Sequence, residues 1–372
     1  MPMKIAMLFP YSPSYRTAIY KLIDEQLDVE WFFCGNAQRN LKLMDYSLLR
    51  KCNLSMEERH ILGPVTYYRG MKHLQLQNYD VIICPGVIRS ITEWWLLQKF
   101  GKRMKHTKVF LWTHGWYGRE TFIQKIIKKI FFRRVDGIFL YGEYARNLMI
   151  EEGFKADKLH VIKNSLDYNK QLILRNGSLL SDIYTNHFKN DYPTIIFIGR
   201  LTQEKKLEQL IRAVSILKQK KEYYNIVFVG NGTMRESLTS EVSKYGLENN
   251  VWFYGECFDE RKNAELIYNA DLCVSPGNIG LTAVHTLMFG CPAISHSSYK
   301  WQGPEFEAII PGKTGDFFEC DNVADLSRCI SKWFTNGQDD RDAIRKSCYE
   351  EIDKHWNPHY QINLIKKVLG IQ

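Results

Sequence analysis

One stretch of the chain, Ser275 to Pro292 (SPGNIGLTAVHTLMFGCP), leaves few folds open. A short apolar run, Ala270 to Val274, precedes it and another, Ala293 to Ser295, follows. Pro276 and Gly277 stop a strand, Gly280 permits a tight backbone turn, and Leu281 to Phe289 carry a helical pattern closed by Gly290 and Pro292. The order strand, glycine-bearing loop, helix, loop, strand suits an open parallel sheet. There a helix that starts at the carboxyl end of a strand turns its unpaired N–H groups and positive dipole end toward the crevice where ligands bind. Asn278, Gly280, Leu281 and Thr282 offer backbone donors to an anion, and the Thr282 hydroxyl offers another. An ordinary strand-to-helix turn of any α/β protein carries the same signature.

The rest of the chain repeats the alternation. In the first half, strands are expected at Lys4 to Phe9, Val29 to Cys34, Val81 to Cys84, Val109 to Thr113, Gly137 to Tyr141 and His160 to Ile162, with helices at Tyr15 to Gln26 and Thr92 to Phe100. In the second, strands are expected at Thr194 to Ile198, Ile226 to Val229, Val251 to Tyr254, Leu272 to Val274 and Ala293 to Ser295, and helices at Val323 to Phe334 and Asp340 to Leu369, the latter broken near Trp356-Asn357-Pro358. Strands alternating with helices imply right-handed crossovers and doubly wound sheets. Gln38 to Gln77 is poorly periodic and is expected as a helix-loop insertion at the mouth of a crevice. Gln171 to Tyr192 interrupts the alternation and is expected as a link between two domains.

The Ser275 to Pro292 segment resembles the nucleotide-sugar loop of the retaining glycosyltransferases of family 4, which have the GT-B fold. That loop usually reads E-G-F-G-L-x-x-x-E-A-M-A-x-G-x-P. Laid on Gly290-Cys291-Pro292, it puts its inner glycine on Gly280 and its leucine on Leu281, while Gly277 and His285 stand where the two glutamates are usual. Gly199-Arg200-Leu201-Thr202-Gln203-Glu204-Lys205-Lys206 is similar to the family's G-R-L-x-x-x-K-G, with Lys206 at the glycine. Two cations at the end of the domain's first strand, Arg200 and Lys205, would neutralise a diphosphate leaving group. Solvated surface charge is the alternative for either one taken alone.

The resemblance implies an α/β, GT-B architecture of two Rossmann-like doubly wound domains facing a central cleft: 1–170 on the acceptor side, a linker at 171–192, a nucleotide-sugar domain at 193–352, and a helix at 353–372 crossing back to the first domain. It implies a sugar-contacting histidine at His114, in Trp112-Thr113-His114-Gly115, although an isolated histidine is as often structural. It places the donor against Gly277, Asn278, Gly280, Leu281, Thr282 and His285, the last facing the ribose. Glu305, in a P-E-x-x-x-x-G-x-T-G-like stretch, is expected to brace the donor loop. Tyr254 to Phe258 are candidates for base contact, with plain core as the alternative. Tyr11 to Arg16 stands where an acceptor loop is usual, so Tyr11 and Arg16 are assigned to the acceptor side, Arg16 steering an anionic acceptor. Gly230-Asn231-Gly232 lacks the third glycine of a dinucleotide fingerprint and is read as a tight structural turn.

Composition narrows the partners. The net charge of +9 suits an anionic ligand. No recognition-helix pattern or zinc-ligand spacing points to nucleic acid or metal, and no cofactor is implied beyond a nucleoside-diphosphate sugar as substrate. No apolar run approaches the roughly 20 residues that span a bilayer. The unpatterned cysteines and the strand-like amino terminus suggest a cytoplasmic setting. Residues 123–134 interleave cations with large apolar groups, which suits either contact with the anionic inner face of the cytoplasmic membrane or a core helix with solvated charges.

The expected function is retaining, metal-independent transfer of a sugar to a saccharide or lipid-linked saccharide in cell-surface polysaccharide or glycolipid biosynthesis. The alternatives are a GT-B nucleotide-sugar epimerase and an inactive nucleotide-sugar-binding relative.

Overall fold

The structure is a computed structural model that describes the chain apart from residues 1, 38–41, 102–105, 178, 336–339 and 372. It divides into two compact units, Met1–Asp167 with Asn357–Gln372, and Tyr168–Trp356.

The first unit contains strands β1 (Lys4–Leu8), β2 (Asp28–Cys34), β3 (Cys52–Leu62), β4 (Val65–Arg69), β5 (Val81–Cys84), β6 (Lys108–Thr113), β7 (Gly137–Leu140) and β8 (Leu159–Val161). Its helices are α1 (Thr17–Gln26), α2 (Ile91–Phe100), α3 (Phe122–Phe132) and α4 (Glu143–Glu151). The sheet order is β4-β3-β2-β1-β5-β6-β7-β8. Every pairing is parallel except β3 with β4. The inner strands are apolar on both faces because helices cover both. One face packs α1 and the carboxyl-terminal helix Pro358–Leu369 through Ile19, Tyr20, Ile23, Ile362 and Ile365. Ser165 donates to the Gln361 side-chain carbonyl, whose amide in turn donates to the Lys163 carbonyl.

The 38–77 stretch corrects the sequence expectation. Its main element is a β-hairpin, Cys52–Leu62 with Val65–Arg69, added to the sheet edge, turning at Gly63-Pro64 and flanked by short 3-10 turns, and not a helix-loop insertion. Met56 and Tyr68 point into the core while their neighbours stay outside, a two-residue period that the polar Asn53 to His60 run obscures. Residues 38–41 of that expectation lie outside the described residues.

The second unit begins with α5 (Tyr168–Arg175) and α6 (Ile183–Phe188). The segment expected as a link is therefore built into this unit: Tyr184 donates to the Leu266 carbonyl and Arg175 pairs with Asp353. Ser178, within that expectation, lies outside the described residues. There follow β9 (Thr194–Ile198), α7 (Glu208–Gln219), β10 (Asn225–Val229), α8 (Arg235–Lys244), β11 (Val251–Gly255) and α9 (Glu260–Asn269). The unit is completed by β12 (Leu272–Ser275), α10 (Thr282–Met288), β13 (Ala293–His296), β14 (Gly315–Phe318), α11 (Val323–Thr335) and α12 (Arg341–His355). The all-parallel order β11-β10-β9-β12-β13-β14 reverses direction between β9 and β12. At such a switch point the two crossovers leave on opposite faces, opening a crevice at the carboxyl ends of the strands.

Candidate nucleotide-sugar site

The switch point of the second unit brings together the two segments singled out in the sequence. The loop after β9 carries Arg200 and Lys205, and the loop after β12 carries Pro276 to Leu281. Their backbones touch: the Gly277 N–H donates to the Lys205 carbonyl at 2.9 Å, and the Lys205 ammonium donates to the Asn278 carbonyl at 2.5 Å. A Cβ at Gly277 would lie 1.9 Å from the Glu204 carbonyl oxygen, so no side chain fits there. The glycine at the family's first glutamate position thus permits a closer approach of the two loops than any other residue could. Gly230 and Gly232 do the same work behind them, since a Cβ at either would fall within 2.3 Å of the Gly199 or Leu201 carbonyl oxygen.

Lys206 adopts φ +50°, the left-handed conformation that glycine takes without strain, and it stands where the family pattern has glycine. Its ammonium pairs with Asp321 at 2.5 Å.

The Lys205 pKa is held below its usual range, first by burial, with the Glu305 carboxylate opposing and Arg200 adding to the shift. Arg200 itself is exposed. Glu305 is buried beside the loop, and its Oε2 would meet a Cβ at Gly303 at 2.7 Å. The Asn278 side-chain oxygen accepts from the Gly303 N–H, and Gln302 accepts from Ile279 N–H at 3.0 Å. Gly280 takes φ +53°, leading into α10.

Two residues expected on the donor side have partners within the second unit. The Thr282 hydroxyl donates to the Ile198 carbonyl at 3.0 Å and so pins α10 to the end of β9. His285 Nε2 lies 2.9 Å from the Glu260 carboxylate, which also accepts from Gln171 at 2.8 Å. Burial opposes ionisation of Glu260, but hydrogen bonds from His285, Gln171 and Asn263 outweigh it and hold the carboxyl down to about 2. An ionised carboxylate only accepts, so Nε2 carries the proton.

Glu260 was missed in the sequence. It opens α9 two residues after Phe258, which is 91% exposed in the loop after β11. The carboxylate absent at position 285 is therefore present one side chain away. His296 is buried and accepts from the Ser298 N–H, with its pKa lowered to about 4 by burial and by Lys206.

In the first unit the loops after β1, β6 and β7 assemble a second cluster. Arg16 donates to the phenol oxygens of Tyr20 (3.2 Å) and Tyr141, and its guanidinium lies 5.5 and 5.3 Å from the Trp112 and Tyr141 ring centroids. The His114 ring is 4.7 Å from that of Tyr141. Its side chain is solvent-exposed at the loop tip, yet loss of surrounding water, then the charges of Arg16 and Lys128, lower its pKa, so the imidazole is neutral at pH 7. Lys128, on α3, donates to the Gly115 carbonyl (2.8 Å) and to Glu120 (2.6 Å), fixing the loop that carries His114. Tyr11 is half-buried beside Ser12.

A cavity of about 410 Å³ lined by Tyr184, Tyr192, Thr194, Asp271 and Arg341 lies at the amino ends of β9 and β12, the opposite end of the sheet from Arg200. In this fold ligands bind at the carboxyl ends, so that cavity is not the nucleotide-sugar site.

Residues 183–351 match the family described as Glycosyl transferases group 1, and the second unit carries a domain of that family. The fold is GT-B: Anabaena HepE, solved in complex with UDP, superposes with a TM-score of 0.72 at 17% identity over 99% of this chain and 100% of that one. Among curated proteins, an uncharacterized glycosyltransferase of Methanocaldococcus jannaschii is 30% identical over 43% of this chain and 41% of its own length. The putative glycosyltransferase EpsD of Bacillus subtilis is 27% identical over 72% and 71%. The chain spans about half the length of the first curated relatives it matches, 41% and 53%.

Proposed function

We propose that the chain is a glycosyltransferase that moves a sugar from a nucleoside-diphosphate donor to a saccharide or lipid-linked saccharide, with retention of anomeric configuration and without a metal. The observation that carries this reading is the meeting of the Arg200–Lys205 loop with the Gly277–Gly280 loop at the switch point of the second unit. The UDP complex of HepE supports a nucleoside diphosphate as the ligand class.

Arg200 and Lys205 would stabilise the negative charge that builds on the diphosphate as the anomeric C–O bond breaks. The acceptor oxygen attacks from the same face, and its proton passes to a phosphate oxygen of the departing diphosphate, so no protein nucleophile is required. Phe258 would stack the base, and the Glu260–His285 pair would accept from and donate to the ribose hydroxyls. Neutral His114 would hydrogen-bond the transferred sugar.

Exposed Phe122, Ile123, Ile126, Ile127 and Ile130 on α3, flanked by Arg119 and Arg133, support contact with an anionic membrane surface and a role in cell-surface polysaccharide or glycolipid synthesis. The test is a screen of UDP-, GDP- and ADP-sugars by thermal stabilisation and hydrolysis, with the anomeric configuration of the product read by NMR. One donor should stabilise the protein and give the retained anomer. Inversion, or no response to any donor, would remove the reading. Binding without turnover over a broad acceptor panel would favour an inactive nucleotide-sugar-binding protein, a reading that the filled space at Gly277 motivates.

A further inference from the structure

The first unit holds a cation with no counter-charge among the described residues. Arg16 follows β1, beside the point where the sheet order reverses between β1 and β5, the position at which an α/β sheet opens to ligands. Its guanidinium is half-buried beside the rings of Trp112 and Tyr141 and donates to two phenols. Among the described residues no carboxylate pairs with it: burial opposes its charge, and only Tyr20 and Tyr15 favour it. Lys128, a short way along the same surface, is by contrast fully paired with Glu120.

The Trp112 indole N–H is also buried with no acceptor. Aromatic faces attract a cation but leave most of a guanidinium's donors unused, and an uncompensated charge in a crowded site is costly to keep. A free surface arginine would point into water. This one is locked by two rings and two hydroxyls, which fixes its planar fork in one orientation.

We propose that Arg16 receives an oxyanion carried by the acceptor, a carboxylate or a phosphate, so that the molecule gaining the sugar is an acidic saccharide or a sugar phosphate. This rests on the acceptor-side reading given above. The fork offers two parallel N–H donors to such a group, and neutral His114 beside it adds no competing charge. A neutral sugar would leave the guanidinium as unpaired as it is in the free protein.

The test uses the full chain carrying Arg200→Ala and Lys205→Ala, which removes the donor-side cations. Calorimetric titration compares glucuronic acid, glucose 1-phosphate and glucose. At least one of the two acids should bind about 10-fold or more tighter than glucose, the gain typical of a charge-assisted hydrogen-bonded pair. Preference for glucuronic acid alone identifies a carboxylate, and for glucose 1-phosphate alone a phosphate. Arg16→Gln should abolish the preference and Arg16→Lys should retain part of it. Should Arg16→Gln fail to fold, Arg16→Lys and Tyr141→Phe, which loosen the fork while keeping the charge, should each reduce the preference.

Equal binding of acids and glucose, no binding of either acid, or a preference that survives Arg16→Gln would overturn the proposal. UDP binding to the unaltered chain is measured separately. Its absence alongside an intact Arg16-dependent preference would count against the donor reading and leave this one standing.

Discussion

The two units hold their cations in opposite ways. In the second, Lys205 is bonded to the Asn278 carbonyl and lies within the field of Glu305, inside loops drawn together until a glycine is the only residue that fits. In the first, Arg16 is caged by aromatic rings and neutral hydroxyls, with no acid against it among the described residues. The former arrangement is closed and backbone-determined, as suits a group common to every nucleoside diphosphate. The latter leaves charge unspent, as would suit the acceptor side proposed above.

That contrast is broken most severely at Gly277. Gly277→Glu introduces the residue usual in the loop that this segment resembles, and it should destabilise the second unit by about 3 kcal/mol or more, because its Cβ overlaps the Glu204 carbonyl. A fall of roughly 10 °C in thermal denaturation is expected, and unchanged stability with tighter UDP binding would show that the loops are not closed.

Lys205→Ala should weaken UDP by about 30-fold while leaving uridine unchanged, read by calorimetry, since a charge-assisted contact contributes about 2 kcal/mol. Equal loss for both ligands would place Lys205 away from the phosphates. On the first unit, Ile123→Glu with Ile126→Glu should lower partition onto anionic vesicles about 10-fold without moving the melting temperature, since both side chains are exposed. Unaltered partition would remove α3 from the membrane.

Smaller effects separate the units by pH. Glu260 titrates near 2 in the folded chain against an ordinary 4.5, so its contribution is present above 4.5 and is lost as pH falls toward 2. Glu260→Gln should cost about 1 kcal/mol at pH 7 and flatten the acid limb of the stability curve. His114 is neutral when folded, so its contribution is present above 6.5 and is lost as pH falls from 6.5 toward 4. The ring is partly solvent-screened, making this the smallest change, and His114→Asn should erase it in equilibrium unfolding at stepped pH.

Much of the second unit is legible because most of its strands are nearly continuous apolar runs closed by a glycine or a polar loop. The strands at Thr194 and Leu272 were found to within a residue for that reason. β14 was missed because Gly315 to Phe318 is short and follows Pro311-Gly312, which reads as turn alone. The β3–β4 hairpin was missed because charged residues occupy its outward positions.

Of the candidate site, Arg200, Lys205 and Gly280 stand out through local patterns in the sequence. Glu260 does not, since nothing near it in sequence marks it and only the fold of α9 against α10 brings it to His285. The cage around Arg16 likewise draws on β6 and β7, over a hundred positions further along in the case of Tyr141.

The carboxyl-terminal helix has a consequence for biosynthesis. Pro358–Leu369 completes the apolar layer over Ile19, Tyr20 and Ile23, yet the whole of the second unit is translated before it. A nascent chain therefore reaches the ribosome exit with that patch bare while the downstream unit forms, so order of synthesis and order of completion are reversed for this half of the molecule. Chaperone dependence should follow the release of the last helix rather than the emergence of the first.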